Sequence, residues 1–374
     1  MERCDFLVVG AGMAGASAAY WLAERGRVVV LEQEDAPGYH ATGRSAAMYM
    51  ETYGGPLTKG LAVAGRSFLA DPPAGFSETP LLSPRQVLYL GRADQIAALD
   101  RFHEENRRHV PSLLRLDAAE TLEQPVPLRE DYVAGAVLEP DAEEIDVAAL
   151  HQGYLRGLRA RGGTLMTEAQ VTALTRNGGL WHAETPAGAF AAPVVVNAAG
   201  AWCDAVARLA GVAPIGLQPK RRTAFIFDGP AAGGVDGWPM VHDIEDSFYL
   251  KPDAGRVLGS PADEIPSEPC DAYPEELDIA VGADRIMQVT TLEIRHIRNK
   301  WAGLRSFVKD RQPVAGFDVA APGFFWVAGQ GGAGIMTAPA LGAVTAALAA
   351  GAPMPEEAAA RGITAEVLGP GRLG

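Results

Sequence analysis

Cysteine is scarce, and what there is lies scattered. Cys4, Cys203 and Cys270 are the only three in 374 residues, and none forms a C-x-x-C pair. That spacing excludes a disulfide framework and a thiolate zinc site, and no metal is expected; a reducing cytoplasm fits best. Positive charge is also in deficit. Lys and Arg total 32 against 46 acids, a net charge of −14, which argues against nucleic acid or an anionic membrane as partner. Long lipophilic runs are missing. The one extended apolar stretch, Ala338 to Met354, is mostly Ala and Gly with prolines nearby, so it reads as a helix packed inside the protein rather than a membrane span. The first apolar run is too short and too quickly followed by glycine for a signal peptide. There are no internal repeats and no low-complexity linker. The remaining composition, 48% hydrophobic and 21% charged, is that of a globular enzyme, and the length favours two domains.

The opening segment holds the densest information. Phe6 to Val9 is an apolar, β-branched run that reads as a strand buried on both faces. It ends in Gly10, Gly12 and Gly15, spaced G-x-G-x-x-G, before a helical stretch over Ala16 to Arg25 and a second buried strand, Val28 to Leu31, closed by Glu32. Gly10 permits the tight turn, Gly12 the close approach of a pyrophosphate, and Gly15 close helix–strand packing. The helix N-terminus favours the anion. Glu32 suits an unphosphorylated ribose, leaving NAD or the adenosine half of FAD. Two further segments pair a buried strand with small residues and then a helix: VVVNAAGAWC (194–203), leading into a helix at 204–210, and GFFWVAGQGGAGIMTAP (323–339). Between them and the first turn lies the glycine-interrupted loop PGYHATGRSAAMYMETYG (37–54). Three strand-to-glycine turns suit FAD, which must be held along its whole length.

GAGMAGAS, ATGRSAAMY, NAAGAWCD and GQGGAGIMTAP together resemble the flavin amine-oxidising superfamily of D-amino acid oxidase, glycine oxidase and sarcosine oxidase. HQGYLRGLRARGGTL (151–165), LQPKRRTAFIF (217–227), SFYLKPDAG (247–255) and WAGLRSFV (301–308) resemble its bacterial D-arginine dehydrogenase branch. The resemblance implies an α/β fold: a Rossmann-like FAD-binding domain (1–85, 146–218 and 306–374) with an inserted α+β substrate domain on a mainly antiparallel sheet (86–145 and 219–305). It places FAD against Gly10, Gly12, Met13, Ala14, Gly15, Glu32 and Gln33; Gly43, Arg44, Ser45, Ala47 and Met48; Val171, Ala199 and Gly200; and Gly331, Gly332, Gly334, Ile335, Met336 and Thr337. It implies oxidative deamination of a D-amino acid by hydride transfer from Cα to flavin N5, with oxygen or a quinone-type carrier as electron acceptor.

A carboxylate substrate calls for bidentate donors, and Arg222 and Arg305 match the family's clamp. Arg222 alternates with Ala224 and Ile226 and shares their face, so Arg221 points the other way. Tyr53 and Tyr249 match substrate-contacting positions, and Gly54-Gly55 suggests a mobile lid over them. Where arginine-specific relatives carry an acid after LLSPR, this chain has Gln86-Val87; Met48 replaces a histidine and Met336 a polar amide. A pocket lined by Met48, Val87 and Gly332 then favours uncharged, hydrophobic D-amino acids over D-arginine. Two other readings are weighed beside this one: oxidation of glycine- or sarcosine-type amines, and an NAD-dependent dehydrogenase. A non-enzymatic flavin sensor would not need two buried arginines.

Overall fold

The computed structural model describes residues 1–230 and 234–374. Its first layer is a six-stranded sheet in the order 164–166, 28–31, 6–9, 194–197, 324–328, 314–317, parallel except for the last strand. The β-branched runs explain it, because each is apolar on both faces and is covered on both. Leu7, Val29, Val195 and Trp326 pack on one side; Phe6, Val8, Val30 and Val196 pack on the other against the helices.

Two of those helices, Met13–Leu22 and Gly334–Ala349, lie against each other. Small residues make this contact possible: a Cβ on Gly342 would sit 2.9 Å from the Ser17 backbone. The Ala/Gly-rich run is therefore an internal helix beginning at Gly334, and among the described residues no helix is long and apolar enough to cross a membrane. The first helix starts three residues before the expected Ala16, with Gly12 as its N-cap, and the helix expected over 204–210 covers Cys203–Leu209.

The second layer is a nine-stranded sheet built from 87–91, 114–116, 135–139 and five segments between 218 and 266, with Ile297–Phe307 lying antiparallel along Gln218–Phe227. Every pairing is antiparallel except Met240–Asp243 with Val87–Gly91. One face packs on helix Glu276–Val289 through Phe225, Phe227, Ile279 and Ile286. The opposite face looks toward the glycine turns of the first sheet. A three-stranded sheet (48–49, 143–145, 82–84) joins the loop after Arg44 to the second layer's connections, and a four-stranded sheet (2–3, 188–192, 180–185, 173–177) completes the strands.

Candidate active site

The turn after Phe6–Val9 shows why it needs glycine. Gly10 adopts φ +98°, and a Cβ there would come within 2.6 Å of the Ala198 carbonyl oxygen. A Cβ on Gly15 would lie 1.9 Å from the Gly10 carbonyl, so this residue serves helix–turn packing and stays off the cavity wall. Helix Met13–Leu22 has no side-chain cap and no acid in its first turn. Thr42 Oγ1 accepts the Met13 N–H at 2.9 Å. Buried Glu32 accepts from the backbone N–H groups of Ala11 (2.7 Å) and Glu34 (3.0 Å), and its carboxylate still borders the cavity. His151, buried beneath, bonds the Ala11 carbonyl at 2.8 Å; burial lowers its pKa and keeps the ring neutral.

One elongated cavity runs between the two layers. It begins at Glu32 and Gln33 and passes Gly10, Gly12, Met13 and Ala14. It continues by Arg44, Ser45, Val171, Ala199 and Gly200, reaches Gly331, Gly332, Gly334 and Ile335, and ends at Arg222, Tyr249 and Arg305. Helices Met13–Leu22 and Gly334–Ala349 both start on its wall. Helix Gly334–Ala349 likewise has no acid in its first turn, so two positive helix ends face the space. Arg44 is on the wall, but its guanidinium is engaged by Asp271 and by the carbonyls of Ala272 and Ala302, which makes it a tie between loops.

Several expected contacts lie elsewhere. Gly43 packs on the Gly38 carbonyl, to which its N–H donates at 2.8 Å. Ala47 sits at φ +34° beside Ser45, off the wall. Met336 and Thr337 rotate into the core as the helix turns by about 100° per residue, and Thr337 Oγ1 donates to Ala333 O. Met48 and Val87 are buried in an apolar cluster with Tyr89 and Met240 and neither lines the cavity, so the expected Met48/Val87 side-chain pocket does not form there. Val87 faces inward because register pairs it with Met240 and Glu139 in mid-sheet.

At the far end, strand alternation puts Arg222, Tyr249 and Arg305 on the cavity face, while Arg221 meets Glu275 (2.5 Å) and Asp278 (2.7 Å) on the helix side. Arg222 is only 6% exposed. Its Nε donates to Asp263 O at 2.8 Å, and Nη2 lies 3.5 Å from Asp246 and 3.8 Å from Glu264, with no hydrogen bond among the described residues. Both acids are already held. Burial of Glu264 is outweighed by Arg311 and Lys220, which bring its pKa down to about 2. Burial likewise opposes ionisation of Asp246, but His242 at 3.0 Å and Arg222 hold its pKa below the usual value.

Arg305 is the less committed cation. Among the described residues its one hydrogen bond runs from Nη1 to Tyr53 Oη at 3.4 Å. Burial works against its charge, yet Tyr53, Tyr249, Asp246 and Glu264 together raise its pKa. Tyr53 is off the wall but touches Arg305, and Gly332 leaves the gap between them open. Sequence reading missed Gln330, whose Nε2 is buried on the cavity wall without a partner among the described residues, and His40, which borders the other end, packs at a tilt against Trp202 and bonds Glu34. Each had only a weak signal, a lone polar residue in a glycine-rich loop. Among the described residues no cluster of His, Cys, Asp and Glu could hold a metal.

A family model described as DAO, FAD dependent oxidoreductase, matches residues 5–348. The chain belongs to this family. FAD is therefore the cofactor, and the cavity fits it: a buried carboxylate for the ribose at one end, glycines where a Cβ would obstruct, and two helix N-termini without an N-cap side chain or a first-turn acid for anionic or carbonyl groups. The DAO-family chain is 24% identical to glycine oxidase of Bacillus licheniformis over 95% of both chains. The fold is that of glycine oxidase from Geobacillus kaustophilus (TM-score 0.83, 23% identity, 94% and 96% covered) and of iminodiacetate oxidase from Chelativorans sp. (TM-score 0.81, 24% identity, 98% of both). An NAD-dependent dehydrogenase is set aside by the family assignment.

Proposed function

We propose that this FAD-dependent oxidoreductase oxidises the Cα–N bond of an amino acid, with D-amino acids of uncharged side chain as its substrates. The observation that carries this reading is Arg305: a cation at the cavity end whose side chain is hydrogen-bonded, among the described residues, only to Tyr53, with the rest of its planar fork available for a carboxylate. Arg222 closes the other side at longer range, and Tyr249 lies between, its ring centroid 5.9 Å from the Arg222 guanidinium carbon. FAD bound along the cavity supplies the hydride acceptor, at N5. The protein's own part is to hold the carboxylate, exclude water with the buried sheet face, and leave the substrate amine neutral so that its lone pair assists loss of the Cα hydride. The resulting imino acid hydrolyses to a 2-oxo acid and ammonia.

Charge on the wall supports the side-chain preference. Among the described residues lining the cavity the one acid is Glu32, at the opposite end from Arg305. Asp246 and Glu264 stand behind Arg222 but are engaged by His242, Lys220 and Arg311, so a guanidinium or ammonium side chain would be desolvated there without a free carboxylate partner. The D configuration rests on the likeness of the 217–227, 247–255 and 301–308 segments to the D-arginine dehydrogenase branch. Glycine- or sarcosine-type amines are the second reading, favoured by the relatives named above. Anaerobic mixing with D-leucine, L-leucine, D-arginine, glycine and sarcosine tests both: D-leucine is expected to bleach the flavin fastest, and faster bleaching by sarcosine or glycine selects the second reading. Readmitting air then times reoxidation, seconds or less marking an oxidase and minutes a dehydrogenase.

A further inference from the structure

Glu139 ends the strand Gly135–Glu139 in the second layer, is 1% exposed, and has no role in the site described above. Its carboxylate is met by hydroxyl and backbone donors, and among the described residues no cation lies within ion-pair distance. Oε1 accepts the Glu51 backbone N–H at 2.9 Å; Oε2 accepts Thr52 Oγ1 at 2.5 Å and lies 3.5 Å from the Tyr89 hydroxyl, itself 2.7 Å from Thr52 Oγ1. A buried carboxylate persists only where its lone pairs are satisfied, and here most of its donors come from one short turn. That turn delivers Tyr53: the Tyr53 N–H closes it on the Met50 carbonyl, and the Tyr53 hydroxyl contacts Arg305. The turn continues through Gly54 at φ +83°, which has no side chain to anchor it.

We infer that Glu139 is a positioning residue, fixing the 51–53 turn so that the Tyr53 hydroxyl is held against Arg305 and the carboxylate site is preformed without Glu139 touching substrate. The inference rests on the carboxylate reading of Arg305. Two acceptor oxygens are what the turn needs, one for the Glu51 N–H and one for the Thr52 hydroxyl. An amide can reproduce the geometry by donating to Thr52 Oγ1, whereas an apolar side chain leaves the Glu51 N–H without its acceptor and turns the Thr52 hydroxyl to Tyr89 alone.

The test is a double-mutant cycle on the FAD-loaded protein, reading D-leucine KM and kcat together with the dissociation constant of 4-methyl-2-oxopentanoate from the flavin absorbance change. Glu139→Leu should raise KM and that dissociation constant at least tenfold while kcat moves less than threefold, and Glu139→Gln should restore both constants to within threefold. Tyr53→Phe should raise the same constants about tenfold in the wild type but less than twofold on top of Glu139→Leu. Equal effects of Tyr53→Phe in the two backgrounds, or unchanged constants in Glu139→Leu, overturn the inference. If Glu139→Leu does not fold, Thr52→Val replaces it in the same cycle. Arg305→Lys separates the two layers of argument: oxo-acid binding unaffected by that change removes the carboxylate reading itself, whereas lost binding with an additive cycle removes only the role of Glu139.

Discussion

Gly332→Ala is the sharpest probe of the proposed substrate end. A Cβ at this position would lie 2.4 Å from the Tyr53 hydroxyl and 3.0 Å from the Arg305 guanidinium carbon. Gly332 is not among the residues with positive φ, so alanine suits the backbone. The atoms it meets are the tips of flexible side chains, and the fold relieves the clash by moving them. Restoring ordinary contact needs a shift of about 1 Å, and misplacement of that size in a positioned site costs on the order of 10²-fold in rate. Counted instead as a lost charge-assisted contact to a carboxylate, about 1.5–3 kcal/mol, the loss is roughly 10- to 150-fold in kcat/KM. The two routes agree. The assay is steady-state oxidation of D-leucine with FAD content measured on the same samples. Gly332→Ala should keep its flavin and lose activity. Gly331→Ala is the contrast, because φ +56° and a Cβ 2.3 Å from the Phe307 ring impose backbone strain as well, so its thermal midpoint should fall. Unchanged kcat/KM in Gly332→Ala would show that the Tyr53–Arg305 gap is not where substrate sits.

Other outcomes are expected alongside. Arg305→Lys and Arg222→Ala should each cut kcat/KM by tenfold or more with the flavin spectrum retained, while Arg221→Ala, which breaks ion pairs to helix Glu276–Val289, should lower the thermal midpoint and leave kcat/KM near wild type; equal behaviour of all three refutes the clamp. Val87→Glu would bury a carboxylate cross-strand from Glu139, so it should destabilise the protein, read by denaturant unfolding, rather than shift preference to D-arginine. Heat denaturation should release all the FAD, since none of the three cysteines lines the cavity; flavin left in the pellet would direct attention to His40. His151 has its pKa lowered from 6.5 by burial, so its contribution is complete above 6.5 and declines as pH falls below it, by up to about 1.4 kcal/mol per pH unit until the ring protonates in the folded state. His151→Gln should flatten that part of the stability–pH curve, and an unaltered slope would assign it elsewhere.

What sequence alone determined was local or periodic. Runs of four or five consecutive apolar residues have no polar face to expose, so Phe6–Val9, Val28–Leu31 and Phe324–Ala328 read as interior strands, and they occupy those residues. The glycine spacing reported a turn whose geometry bars side chains, and two-residue alternation separated Arg222 from Arg221. Tertiary structure decided what lay across the chain. Val87 and Met48 are hydrophobic in either setting, and only the register of Val87 opposite Glu139 and Met240 turns it into core rather than pocket wall. Arg44 has the composition of a phosphate contact until the fold brings Asp271, 227 residues away, to its guanidinium. Glu139 is an ordinary strand-end acid in sequence, and its link to Thr52, 87 residues upstream, exists only because the second sheet carries that strand beneath the loop. Periodicity encodes which face a side chain takes, but partners far along the chain are chosen by packing, which no local pattern records.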